Sequence, residues 1–334
     1  MPHPTIFTTN RSTHHQRRAL DAAPPELSVT MLAQPSYDDL RAHLTQAEYL
    51  ISERVGVIDA KVIQVAPHLK LILRLGSMTY DIDIEAARAA GVIVCTWPDA
   101  GAVGVAEHTV MQMLVLTKKL NDVQRVALEA SPEWGTSRPT DENTFSYNWS
   151  GREQINTLHG QTVGILGFGE IGSEVARRLR GWGCSLLYSK RSRLPTQFEA
   201  ALGLTYVDSD TLRNQSDMLV NLLPYSSETV NLINAEWLAG MKSGAMLVSC
   251  GSGGTIDEQA LAEAVRSGHI AGAAMDSYSS EPLQADNPLV ELAREGANIL
   301  LTPHTAAGDG WSRTVEYTNI LRHLRGEPIL NRVV

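Results

Sequence analysis

The chain has 334 residues, 43% of them hydrophobic and 19% charged, and a formal net charge of −9 at pH 7. That length suggests two domains with full cores, and the composition is that of an ordinary soluble globular protein. The acidic balance gives no general attraction to nucleic acid, and no stretch has the apolar length of a membrane-spanning helix.

The first twenty residues lack the apolar core of a secretion signal. Arg17 and Arg18 resemble an export pair, but the stretch after them is interrupted by Asp21, Pro24 and Pro25. The pair His14-His15 is expected on a polar helix face, because a metal site needs further ligands. Cys95, Cys184 and Cys250 are widely spaced and match neither a disulfide framework nor a zinc motif. A cytoplasmic protein without a metal is therefore expected.

In chain order the first part alternates strands and helices. TIFTT, LSVTML, EYLISE, LKLILRLG and GVIVCTW read as strands. RSTHHQRRALDAA, YDDLRAHLTQ and DAKVIQVAPH read as helices between them. This βα alternation predicts a parallel sheet covered by helices. A long apolar helix is predicted over Val103 to Leu120. It is followed by a polar, loop-like stretch from Ser131 to Gly151, rich in Ser, Thr, Pro and Asn.

A second βα series starts near Gly160 with TVGILGFGEIGSEVARRLRGWGCSLLYSKRSR. It reads as strand, glycine-rich turn, amphipathic helix and strand. The turn carries Gly167-x-Gly169-x-x-Gly172 directly after the apolar run Val163 to Leu166. Between a strand and a helix, this spacing is a dinucleotide-binding signal. Gly167 allows the tight turn, Gly169 the approach of a pyrophosphate, and Gly172 the packing of helix on strand. Phe168, Glu170 and Ile171 complete the turn. The pyrophosphate would lie on the N–H groups at the helix start.

NAD sites place Asp or Glu about 20 residues further on, for the ribose 2′-hydroxyl. Here Tyr188 is followed by Ser189, Lys190, Arg191, Ser192 and Arg193, and the next carboxylate is Glu199. Hydroxyls and cations suit a 2′-phosphate, which a carboxylate would repel. NADP is therefore expected over NAD, with NAD still possible. Later strands are predicted at MLVNLLP, AMLVSCG, AGAAMDS and ANILLTP. The last helix, SRTVEYTNILRHLRGE, is expected to return to the first domain.

Several motifs in order resemble the D-isomer-specific 2-hydroxyacid dehydrogenases, from about Leu69 to Gly326. LKLILRLGSMTYDIDIEAARAAGVIV is similar to the family's substrate segment and VAEHTVMQML to its domain-crossing helix. LLPYSSET, with Leu223 and Pro224, resembles the loop beside the adenosine. GGTIDEQAL, AAMDSYSSEPL and LLTPHTAAG resemble three C-terminal signatures. The resemblance implies two Rossmann/flavodoxin-like parallel-sheet domains with the active site in the cleft between them. The substrate domain would be residues 1–118 plus 309–334, and the inserted nucleotide domain residues 119–308. A small-molecule substrate and a homodimer are also implied, with residues 131–151 as the arm that crosses to the partner.

By the same resemblance His304 is the acid–base residue and Glu281 the carboxylate that orients and charges it. Cys250, Gly251 and Asp276 would line the nicotinamide side. The family's third polar residue, an Arg that binds the substrate carboxylate, is absent: Ser252 stands in its place. Arg offers a charged bidentate fork and Ser one neutral hydroxyl. Loss of a preorganised donor of this kind costs about 3–4 kcal/mol.

The substrate loop departs as well. Gly76-Ser77-Met78 has Met where the family has a second glycine, and Tyr80 where it has Asp. Both changes predict a bulkier, more apolar wall. Three explanations stand: a substrate without a carboxylate, a substitute cation such as Arg74 or Arg313, or a decayed site that only binds nucleotide. Without such a role, Arg74 would be a strand-end residue facing solvent and Arg313 a first-turn helix cation. The expected function is an NADPH-preferring oxidoreductase acting on a carbonyl or hydroxyl carbon of a non-standard substrate. Its alternatives are an ordinary 2-keto acid reductase and a regulatory nucleotide-binding protein.

Overall fold

The computed structural model describes residues 1–334 other than Arg54, Pro98, Asp99 and residues 309–311, and omits the side chain of Ala100. The chain forms two compact units, Met1–Val103 with Asp309–Val334, and Gly104–Gly308.

The first unit begins β1 (His3–Thr9), α1 (Thr13–Asp21), β2 (Leu27–Ala33), α2 (Tyr37–Leu44) and β3 (Tyr49–Ser52). It continues α3 (Ala60–Gln64), β4 (Leu71–Leu75), α4 (Ile84–Ala89) and β5 (Ile93–Trp97). The five strands pair in parallel in the order β2-β1-β3-β4-β5, the flavodoxin-like order. Every residue of β3 and β4 is buried, as parallel strands covered on both faces require. Helix starts are written in the side chains. Ser36 and Asp39 form a capping box on α2, and Asp59 and Asp83 accept the N–H groups of Val62 and Ala86.

The helix α5 (Ala100–Thr117) leads into the second unit, followed by α6 (Leu120–Glu129). Then come β6 (Thr162–Leu166), α7 (Glu170–Leu179), β7 (Ser185–Ser189), α8 (Thr196–Leu202), β8 (Leu204–Tyr206), α9 (Ser209–Gln215) and β9 (Met218–Asn221). The series ends α10 (Ala235–Ala239), β10 (Ala245–Ser249), α11 (Glu258–Arg266), β11 (Ile270–Met275), α12 (Pro288–Arg294) and β12 (Ile299–Leu301). The parallel order is β12-β11-β10-β9-β6-β7-β8. This is a doubly wound sheet whose strand order reverses between β6 and β9, and a nucleotide binds at the carboxyl ends of the strands at such a point. The core packs Leu219, Leu247, Leu261 and Ile270 around the strands; full burial of each such side chain contributes about 1.5–3 kcal/mol.

The chain returns through a 3₁₀ turn (Arg313–Tyr317) and α13 (Thr318–Leu324). The Tyr317 hydroxyl donates to Ala19 O at 2.6 Å, so this end belongs to the first unit and the second unit is an insertion.

One boundary differs from expectation. The first boundary, expected after residue 118, falls between 103 and 104. The reason is that α5 hydrogen-bonds to the second unit along its length: Leu116 O accepts from Asn298 Nδ2 at 3.1 Å and His108 reaches Thr302. The segment between the long helix and the polar stretch is α6. Lys119 takes a left-handed φ of 47°, ends α5 and lets the chain start again. Residues 131–151 carry one 3₁₀ turn, Pro132–Trp134, and are otherwise irregular, with Phe145 and Tyr147 exposed. No described helix is long and apolar enough to cross a membrane.

Candidate active site

The glycine turn sits where β6 ends. Gly167 has φ +85°, and a Cβ there would lie 2.8 Å from the backbone of Leu222, so no other residue fits without a shift. A Cβ on Gly169 would meet no atom within 4 Å, so the space in front of the start of α7 is open. That space is the cradle a pyrophosphate needs, and the residues present fit a dinucleotide. At Gly172 the nearest atoms to an added Cβ belong to the Phe168 ring, the closest at 3.0 Å. Phe168 itself is buried against Tyr188, with ring centroids 4.9 Å apart, so it supports the turn from behind. Glu170 and Ile171 open α7 and are half-buried.

At the end of β7, Ser189 is buried and its carbonyl accepts from Gly167 N at 3.0 Å. Lys190 is half-buried, and Arg191 is almost fully exposed, 3.8 Å from Glu228. Arg193 is committed elsewhere: Nε and Nη2 donate to Glu199 at 2.9 and 2.8 Å. Glu199 also accepts from the Tyr188 hydroxyl at 2.7 Å. The first carboxylate after β7 therefore clamps the loop.

Across the reversal point the loops after β9 and β10 are stitched together. Ser252 N donates to Leu223 O at 2.9 Å, and Ser252 Oγ accepts from Tyr225 N at 3.0 Å. This leaves the Ser252 hydroxyl proton to donate. Pro224 is exposed in the same loop. Burial pushes the Cys250 thiol up to about 12, so it stays protonated at neutral pH. Its Sγ donates to Gln112 Oε1 at 3.2 Å, and Gly251 follows it in close approach to Leu223.

His304 Nδ1 lies 2.7 Å from Glu281 Oε2. His304 is exposed and has a left-handed φ of 55°. Burial raises the Glu281 carboxyl, but the hydrogen bonds from His304 and from Tyr278 N outweigh it and hold the group below the usual range. Beside the pair lies a mostly apolar cavity of about 470 Å³, lined by Tyr278, Pro282, Leu283, Leu301 and Pro303. Asp276 is buried at the end of β11, and its oxygens accept from Thr302 Oγ1, Thr305 N and Ala306 N at 2.6, 3.0 and 2.9 Å.

The substrate loop and the two candidate cations lie in the other unit. Gly76 N donates to Trp97 O at 2.7 Å, Ser77 is half-buried, and Met78 is fully buried, so its side chain forms no open wall. Arg74 is fully buried rather than facing solvent. Its Nη2 is 2.5 Å from Asp81 and its Nη1 donates to Ser52 Oγ at 3.0 Å. Arg313 donates through Nε to Glu316 at 2.8 Å, through Nη2 to Glu53 at 2.7 Å and through Nη1 to His15 O at 2.9 Å. Both cations are held by carboxylates of their own unit.

His108 and Gln112, in the helix run VAEHTVMQML, are not among the residues the sequence points to. The signal is their spacing of four, which puts two hydrogen-bonding side chains on one face of a mostly apolar helix.

Residues 110–306 match the family described as D-isomer specific 2-hydroxyacid dehydrogenase, NAD binding domain. The chain belongs to the D-isomer specific 2-hydroxyacid dehydrogenase family. Among relatives of this family, the D-3-phosphoglycerate dehydrogenase of Archaeoglobus fulgidus is 31% identical over 311 residues, 92% of this chain and 55% of that protein. A glyoxylate reductase of Korarchaeum cryptofilum is 30% identical over 300 residues, 88% of this chain and 85% of its own length. The chain spans about half the length of the phosphoglycerate dehydrogenases it matches. A crystal structure of a Pyrococcus horikoshii protein is similar over 100% of this chain and 95% of that one, at 28% identity and a TM-score of 0.59.

Proposed function

We propose that the protein is an NADPH-preferring oxidoreductase that reduces or forms a carbonyl group by the chemistry of this dehydrogenase family. The observation that carries this reading is the 2.7 Å contact between His304 Nδ1 and Glu281 Oε2. With Nδ1 held by the carboxylate, Nε2 is the nitrogen left for substrate. In reduction His304 gives the Nε2 proton to the carbonyl oxygen as the carbon accepts hydride; in oxidation it takes the proton back. The exposed ring regains its proton from solvent. Glu281 holds the ring and offsets the imidazolium charge. Ser252 donates its hydroxyl proton to the same oxygen or to a neighbouring substituent.

When bound, the nicotinamide supplies or accepts the hydride. Gly167 to Gly172 would hold its pyrophosphate, and Leu223, Pro224, Cys250, Gly251 and Asp276 would line its path. Ser189, Lys190 and Arg191 would hold the 2′-phosphate; the absence of a carboxylate directly after β7 supports NADP over NAD. Gly76, Ser77 and Met78 would contribute the substrate loop through their backbone.

The substrate is a carbonyl compound without a carboxylate beside the reacting carbon. Support comes from Ser252 in place of the family Arg and from the ion pairs that hold Arg74 and Arg313. A homodimer joined through residues 131–151 accords with the exposed Phe145 and Tyr147. The deciding experiment follows NADPH absorbance with glyoxylate, hydroxypyruvate and pyruvate beside aldehydes and ketones lacking a carboxylate, with NADH as control. Turnover confined to the non-carboxylate compounds is expected. Fast turnover of keto acids overturns the substrate assignment, and tight NADPH binding with no turnover on the whole panel favours the regulatory alternative.

A further inference from the structure

The helix α5 is mostly apolar, and two of its polar side chains lie on one line. Gly104, His108 and Gln112 are spaced by four, so they share one face. A Cβ on Gly104 would lie 3.1 Å from Ala306 O and 3.2 Å from Ala307 O, so the helix backbone touches the loop that follows His304. One turn on, His108 Nε2 is 3.0 Å from Thr302 Oγ1. A further turn on, Gln112 Nε2 donates to the same Oγ1 at 3.4 Å, and Gln112 Oε1 accepts from Cys250 Sγ at 3.2 Å.

The direction of each bond follows from what its partner has to give. Thr302 has one hydroxyl proton and donates it to Asp276 Oδ1 at 2.6 Å. Its oxygen must therefore accept from His108, which fixes a proton on His108 Nε2. Asp276, itself 3.5 Å from His108, spends its other capacity on the N–H groups of Thr305 and Ala306. Those two residues directly follow His304. A backbone at φ +55° is sparsely populated for a non-glycine residue and persists only where its surroundings over-determine it.

We propose that His108 and Gln112 are positioning residues that fix the loop of the acid–base histidine and the loop of Ser252 to one helix face. His108 acts through Thr302 and Asp276 on residues 304–306. Gln112 acts on Cys250, two residues before Ser252. The proposal rests on the reading of His304 as the proton donor, but the contacts stand without it.

The test uses the full-length protein with His108→Ala and His108→Gln, since glutamine can place an N–H where Nε2–H stood. Amide hydrogen exchange is followed for the peptide covering residues 303–308 and, as control, for β6. Exchange at Thr305 and Ala306 is expected to speed up in the alanine variant and return towards wild type in the glutamine variant, with β6 unchanged in both. On whichever compound of the panel the wild type turns over, kcat should fall about 100-fold in the alanine variant and recover largely with glutamine. KM for NADPH should stay put.

Equal behaviour of the two variants, or equal acceleration at β6, overturns the proposal, because a general loosening needs no particular N–H. A wild type inactive on every compound would end the dehydrogenase reading, and the exchange result would still decide the role of His108.

Discussion

Arg193 and Glu199 are joined by two hydrogen bonds, with the carboxylate almost fully buried and the guanidinium largely exposed. The pair commits Arg193 to its own loop, which leaves Lys190 and Arg191 as the two cations proposed to hold the 2′-phosphate. Replacing Lys190 and Arg191 together by Ala should shrink the ratio of NADPH to NADH affinity by about tenfold or more, since each hydrogen bond to a charged group contributes about 1.5–3 kcal/mol. Arg193→Ala should leave that ratio alone and lower the melting temperature, because Glu199 is left buried with only Tyr188. Titration of both cofactors against the variants, with a thermal melt beside it, checks both halves.

The glycine turn allows stability and binding to be separated. Gly167→Ala should destabilise the fold by about 1–3 kcal/mol, from overpacking against Leu222 and a positive φ. Gly169→Ala meets open space, so it should melt like wild type and yet bind NADPH more weakly. A Gly169→Ala protein that binds normally would remove the cradle from the nucleotide site.

For the acid–base pair, His304→Asn should lower kcat by about 10²–10⁴-fold, the range for a lost general acid. Glu281 titrates below the ordinary carboxylate range in the folded protein. Its contribution to stability is therefore complete above the unfolded value and fades as pH falls through the folded one. The acidic limb of loop stability should accordingly disappear in Glu281→Gln. Hydrogen exchange of residues 303–308 against pH, in both proteins, shows whether it does.

Ser252→Arg restores the fork that the family uses. It should raise kcat/KM for glyoxylate relative to an uncharged aldehyde by about 100-fold or more, from the 3–4 kcal/mol scale of a preorganised donor. An unchanged ratio would mean that residue 252 does not face the substrate.

The legible parts of this chain were those that depend on local pattern. Strand runs such as LILRL and the glycine turn of residues 167–172 declare themselves through burial on both faces and through fixed spacing. So does the pairing of His304 with Glu281, by resemblance of two short motifs. What stayed hidden depends on contacts distant in sequence. Arg74 looks like a free strand-end cation until Asp81 and Ser52 are brought to it. Met78 looks like a wall until it is seen buried, and Arg313 finds Glu53 and the His15 carbonyl only in three dimensions. The restart of the helix at Leu120 turns on one left-handed lysine, for which sequence offers no glycine as a marker.

The left-handed backbone of His304 has a consequence for how this position can change. Among ordinary residues glycine, asparagine and aspartate enter that region most readily, while most others start about 1–2 kcal/mol behind. The substitutions the loop accepts most easily are thus ones that cannot carry a proton at neutral pH. Drift at this site, once the chemistry ceased to matter, would run towards side chains that have no proton to donate at neutral pH.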